Sequence, residues 1–211
     1  MRTRTERPTR RGPRALRGIL AVLGVALLVP GTLPAAAGQP ERAEVRTLPP
    51  PGEVAGEATL VRSPDGASFT FQTSSLEQGH VYTIWFVAFN EPEGCGGPCS
   101  GAVFMNPDLI EAAKAGSLYG AGHVVGGSGR ATFSGHRAVG APADTDPQGA
   151  GEIGYPLLDP ENAEIHLVLR THGEKIPGMT SDQLSSFNGG CRPGEPNEGQ
   201  CTNLLFAKFV A

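Results

Sequence analysis

Five histidines and four cysteines are the side chains of this 211-residue sequence best suited to hold a soft or borderline metal. His123, His166 and His172 sit in its most distinctive segments and are the candidate ligands for copper or zinc. Along a straight strand at ~3.4 Å per residue, His166 and His172 stand about 20 Å apart, so sharing an ion requires a turn near Thr171. No His-x-His or His-Glu-x-x-His pair accompanies them. A hydrogen-bonded structural imidazole is therefore the expected role at each position, with metal binding as the alternative.

The cysteines are Cys95, Cys99, Cys191 and Cys201. An even count in an exported chain implies disulfides, and three connectivities are possible. Cys95-Gly-Gly-Pro-Cys99 and the Gly- and Pro-rich run from Cys191 to Cys201 can each bring their own ends together, so local bridges 95–99 and 191–201 are expected. A four-cysteine zinc site fits poorly, because structural zinc favours Cys-x2-Cys knuckles over Cys-x3-Cys and Cys-x9-Cys.

Other chemistries find little support. Asp144-Thr145-Asp146-Pro147-Gln148-Gly149 matches the first half of a calcium loop, yet Tyr155 stands where a bidentate Glu is needed. There is no Gly-x-Ser-x-Gly nucleophile motif. Gly126-Gly127-Ser128-Gly129 lies between two strand-like runs, not between a strand and a helix, so it is no phosphate cradle. Arg170 is a possible anion anchor, with bracing of a loop as the plainer role.

The elements that must position these residues begin after a leader. Residues 1–37 carry seven arginines against Glu6, then an apolar run from Ile19 to Val29, then Pro34-Ala35-Ala36-Ala37. That order of basic, apolar and small residues is a cleavable signal peptide, and its core is too short to span a bilayer. Of 17 Lys and Arg and 21 Asp and Glu, 10 and 20 remain beyond residue 37, a net charge near −10. Such a surface repels phosphate backbones and anionic lipids, so nucleic acid and peripheral membrane attachment are poor expectations, and no stable membrane insertion is expected once the leader is cleaved. Residues 38–55 are proline-rich and predict an extended tether, and residues 56–211 predict one domain.

Thirty glycines and 19 prolines argue against a helical bundle and for short strands joined by turns. Runs 58–62 and 67–73 flank Ser63-Pro64-Asp65-Gly66 as a hairpin. Residues 80–90 are apolar on both parities, which predicts a central strand covered twice. A second hairpin is expected across 123–133, a strand at 163–171, and an edge strand at 204–210 marked by Lys208. One short helix is expected at 107–115, with Asn106 as its cap and Gly116 as its stop. Together these predict an all-β fold, an antiparallel β-sandwich or Greek-key barrel of about seven to nine strands, with long Gly- and Pro-rich loops.

Several segments carry a resemblance. Val81 to Asn90 followed by Pro92 and Cys95, Gly122 to Gly127, Glu164 to Gly173 and Phe187-Asn188-Gly189-Gly190-Cys191 resemble an uncharacterised family of secreted bacterial proteins, over most of residues 56–210. The resemblance implies export and implies no activity. The expectation is a secreted or envelope-associated, non-enzymatic binding module for a ligand or envelope component, its loops 91–106, 135–160 and 172–203 shaping one end. A histidine metalloprotein of the envelope, holding copper or zinc, is the alternative.

Overall fold

The computed structural model describes residues 38–142 and 153–211. The segment expected to be a signal peptide, 1–37, and the one that partly matches a calcium loop, 144–149, lie outside the described residues. Nine strands follow in chain order: β1 (Glu41–Thr47), β2 (Val54–Ser63), β3 (Gly66–Thr73), β4 (His80–Phe89), β5 (Ala115–Val124), β6 (Ala131–Ala138), β7 (Ile153–Gly154), β8 (Glu164–Glu174) and β9 (Thr202–Phe209). They form one curled antiparallel sheet in the order β6-β3-β2-β1-β9-β8-β4-β5-β7. The all-β expectation holds. Among the described residues no helix is long and apolar enough to cross a membrane.

The sheet's inner face is a single apolar cluster drawn from β1 to β6, β8 and β9. It is built on strand alternation: Tyr82, Ile84, Phe86 and Ala88 of β4 face inward beside Ile165, Leu167 and Leu169 of β8. Phe69 of β3 meets Phe86 with ring centroids 6.1 Å apart, across the curl from one region of the sheet to the other. The two ends also approach through Arg137 of β6, whose Nη1 donates to the Tyr119 carbonyl of β5 at 3.2 Å.

Four expectations need correction. Residues 41–47 are not a free tether but β1, seated between β2 and β9. Val45 is fully buried, while Arg42, Glu44 and Arg46 point to the other face, so a charged outer parity hid a half-buried strand. The domain therefore begins with β1, ahead of Gly56. Strands β5 and β6 do not pair as a hairpin: β6 pairs with β3, and β5 with β4 and β7. Their glycine-rich connection crosses between opposite ends of the sheet. Finally, β9 is central, between β1 and β8, so Lys208 does not mark an edge.

Helix α1 (Pro107–Ala112) forms where expected, and the Asn106 side chain accepts from the Asp108 amide at 3.0 Å. It ends at Ala112 with Ala113 as its C-cap, and Lys114, at φ 43°, turns the chain out of it ahead of Gly116. Gly116 already belongs to β5, where a Cβ would collide with the Tyr155 carbonyl. A second helix, α2 (Thr180–Ser185), lies within the region expected to be loop.

Candidate functional site

The outer face of the β5-β4-β8-β9 strands is composed in rows that the register dictates. One row runs Ser117, Val87, His166, Lys208; the next Tyr119, Trp85, Val168, Phe206; the next Gly122, Thr83, Arg170, Asn203. An aromatic and aliphatic row thus lies between two partly polar ones. Most outer faces of antiparallel sheets meet water. Here three stretches of chain stand over the face instead.

At one end, Cys95, Cys99, Val103 and Phe104 pack with Val87 and Phe89 in a second apolar cluster. The Cys95–Cys99 disulfide ties off this segment. At the other end stands Phe187, whose ring meets Trp85 edge-on at 4.9 Å and lies 3.9 Å beneath the Arg170 guanidinium. Leu48 and Pro50, from the loop between β1 and β2, complete the wall. Between them lies an open cavity of about 910 Å³ floored by Trp85, Val168 and Phe206.

Arg170 braces this wall. Its Nε donates to the Phe187 carbonyl at 2.7 Å, Nη1 to Asn203 Oδ1 at 2.9 Å and Nη2 to Asn188 Oδ1 at 2.9 Å. Burial pulls its guanidinium down to about 10, which leaves it protonated at neutral pH. Each of the three nitrogens of the fork donates to the protein, which fits loop bracing.

The cavity's polar side is a cluster of His166, Glu164 and Lys208. His166 Nε2 donates to Glu164 Oε1 at 2.7 Å, and Lys208 Nζ reaches the same oxygen at 2.8 Å. Burial lowers the basicity of His166, against the opposing pull of Glu164. An imidazole on a carboxylate can serve as a general base when a nucleophile touches it. Ser117 shares its row but stands two strands away, about 10 Å across the sheet.

The three candidate metal ligands are not brought together. His123 pairs with Tyr82 and packs edge-on against Phe133 of the inner cluster, at 5.8 Å, so it lies on the inner side of the sheet. His166 and His172 lie on the outer side, six residues apart along β8, and the chain does not turn between them. His172 is fully buried at the far end of the face. Its Nδ1–H donates to the Gly189 carbonyl at 3.1 Å, since a carbonyl can only accept, so its Nε2 accepts from the Thr83 hydroxyl at 2.8 Å. Thr83 in turn accepts from Trp85 Nε1 at 3.0 Å. Burial pushes His172 down to about 4, helped by the Arg170 charge.

Both expected disulfides are present, Cys95–Cys99 and Cys191–Cys201. The second lies beside His172, with Cys201 Sγ 3.3 Å from Nδ1. Sequence reasoning singled out His166, His172 and Arg170 but missed Trp85, Val168, Phe206, Glu164 and Lys208. The one available signal was the double apolar parity of residues 80–90, which requires an outer cover and hence an outer surface to line. No protein-family model, curated protein or solved structure matches the chain.

Proposed function

We propose that the chain is an exported, non-enzymatic binding protein of the cell envelope or extracellular space, and that its outer-face cavity takes a small, predominantly apolar molecule. The observation that carries this reading is the cavity itself. Its 910 Å³ falls in the range of small-molecule sites, and aromatic and aliphatic side chains dominate its lining. His166, Lys208, Asn203 and Ser117 give it a few polar groups for orientation. Its walls are braced by the Arg170 fork at one end and tied by a disulfide at the other, which reduces the ordering cost of binding. The two disulfides fit an oxidising compartment, in keeping with export by the leader at 1–37. A binding role accords with His166 having Glu164 and no nucleophile as its hydrogen-bond partner among the described residues.

The sequence contains a single tryptophan, Trp85, and it lies on the cavity floor. Intrinsic fluorescence therefore reports on this site alone. Titration with anilinonaphthalene sulfonate is expected to quench Trp85 and saturate at one probe per chain. Val168→Arg, which sets a charge on the floor, is expected to abolish the response while circular dichroism stays unchanged. A Trp85 signal indifferent to the probe, or a response surviving in folded Val168→Arg, refutes the reading.

A further inference from the structure

The Cys191–Cys201 bridge lies against a buried imidazole, and the Cys95–Cys99 bridge does not. Ligand atoms of His172, Cys191 and Cys201 all fall within 4.8 Å of one another, and they are the one such group of three or more among the described residues. We propose that reduction of this bridge turns His172, Cys191 and Cys201 into a three-ligand site for a cuprous ion, so that the disulfide gates metal binding. None of these three residues lines the outer-face cavity.

The loop keeps its place without the bridge. Asn197 Nδ2 donates to the carbonyls of His172 and Glu174, both at 2.7 Å, and Arg192 Nη1 reaches Asp182 Oδ2 at 2.8 Å. Gln183, fully buried, donates to the same two carbonyls at 3.3 and 2.9 Å. These contacts hold residues 191–201 over the end of β8 whether or not the sulfurs are joined. The Cα atoms of Cys191 and Cys201 are 5.8 Å apart, so parting the sulfurs by about 2 Å to bracket an ion is within reach of side-chain rotation. Both cysteines are only half-buried, which admits a reductant.

The donor set selects the ion. The two thiolates are soft ligands and the imidazole a borderline one; three such donors satisfy a cuprous ion, whereas zinc on the same set needs a fourth ligand such as water. Thr83 Oγ1 already sits on the second ring nitrogen, where ligating histidines carry a hydrogen-bond partner.

The chemistry balances. A dithiol reductant gives two electrons and two protons; it ends as a disulfide, and Cys191 and Cys201 end as thiols. Binding Cu+ releases both thiol protons to solvent. The imidazole proton moves from Nδ1 to Nε2, where Thr83 Oγ1 accepts it, and Nδ1 faces the ion.

Anaerobic competition for Cu+ against bathocuproine disulfonate tests this on the full chain carrying Cys95→Ser and Cys99→Ser, so that only one cysteine pair supplies thiols. The reduced protein is expected to take one Cu+ and the oxidised protein none. His172→Asn is expected to weaken binding more than about 100-fold. Equal uptake by both redox states, full retention in His172→Asn, a preference for Zn2+ over Cu+, or a folded reduced protein that takes no Cu+ each overturns the proposal. If the Cys95/Cys99 variant does not fold, the same titration compares the unsubstituted chain with Cys191→Ser/Cys201→Ser. A difference of one Cu+ is then expected, and no difference overturns the site.

Discussion

Strands β4 and β8 present two faces that differ in almost every physical respect although they share the same residues' backbones. Inward, Ile84, Phe86, Ile165, Leu167 and Leu169 are fully buried in the apolar cluster. Outward, polar Thr83, His166, Arg170 and His172 are interspersed with Trp85 and Val168, and Trp85, His166 and Val168 border an open cavity. The inner face is closed by the sheet's own curl, which leaves little freedom in what packs there. The outer face is closed by loops, and loops can leave a gap. Burial alone therefore does not distinguish a core from a site; what distinguishes them is whether the covering element was free to stand off.

The largest test of that contrast is a pair of truncations. Phe86→Ala opens a void inside a closed cluster and is expected to cost about 3–5 kcal/mol in urea unfolding. Val168→Ala borders space that already exists, so it is expected to cost less than about 1.5 kcal/mol. Equal costs would mean that the outer face is a packed second core and the cavity is not open in solution.

Acid is the next lever, and it acts on the outer face. His172 has a folded pKa of about 4 against an ordinary 6.5, so the unfolded chain takes up this proton first as pH falls. The stabilisation is complete above pH 6.5 and is lost as pH falls towards 4, by roughly 3 kcal/mol over that window. The lowered basicity of His166 acts in the same direction. Urea midpoints at pH 7.5 and 4.5 measure the loss, and His172→Asn is expected to flatten the slope. A wild-type slope unchanged by that substitution would place the acid sensitivity elsewhere.

The inner face was the legible half. Parity along 67–73 and 163–171 locates its residues directly, because each of those strands has one apolar side, whereas 80–90 is apolar on both and shows only that it is covered twice. The two local disulfides were legible for a similar reason, each being closed by its own turn residues. Strand order was not. Nothing in residues 41–47 or 204–210 says that β1 and β9 are neighbours, because pairing between segments about 160 residues apart is decided by how the whole sheet curls. The site suffers from the same gap: Lys208 meets Glu164 only because β9 lies beside β8. The alternative of a histidine metal triad meets the same obstacle. His123 shares a segment quality with His166 and His172 but not a face, and a face is assigned by register, which a bulge between Ile84 and Trp85 shifts along the β4–β5 pairing.

The smallest effect expected is also the most local. Lys208 is partly exposed and shares Glu164 Oε1 with His166, so its removal is a surface-pair loss of less than about 1 kcal/mol. Its influence on the ring is electrostatic and has a definite sign. A nearby ammonium disfavours the imidazolium, so Lys208→Met is expected to raise the pKa of His166, and Glu164→Gln to lower it by removing the partner that favours protonation. Titration of the His166 ring resonances by NMR follows both variants. Opposite shifts would establish that the three groups form one charge cluster at the cavity wall. Shifts of the same sign, or none in either variant, would mean that desolvation alone sets this imidazole and that Lys208 belongs to the solvent rather than to the site.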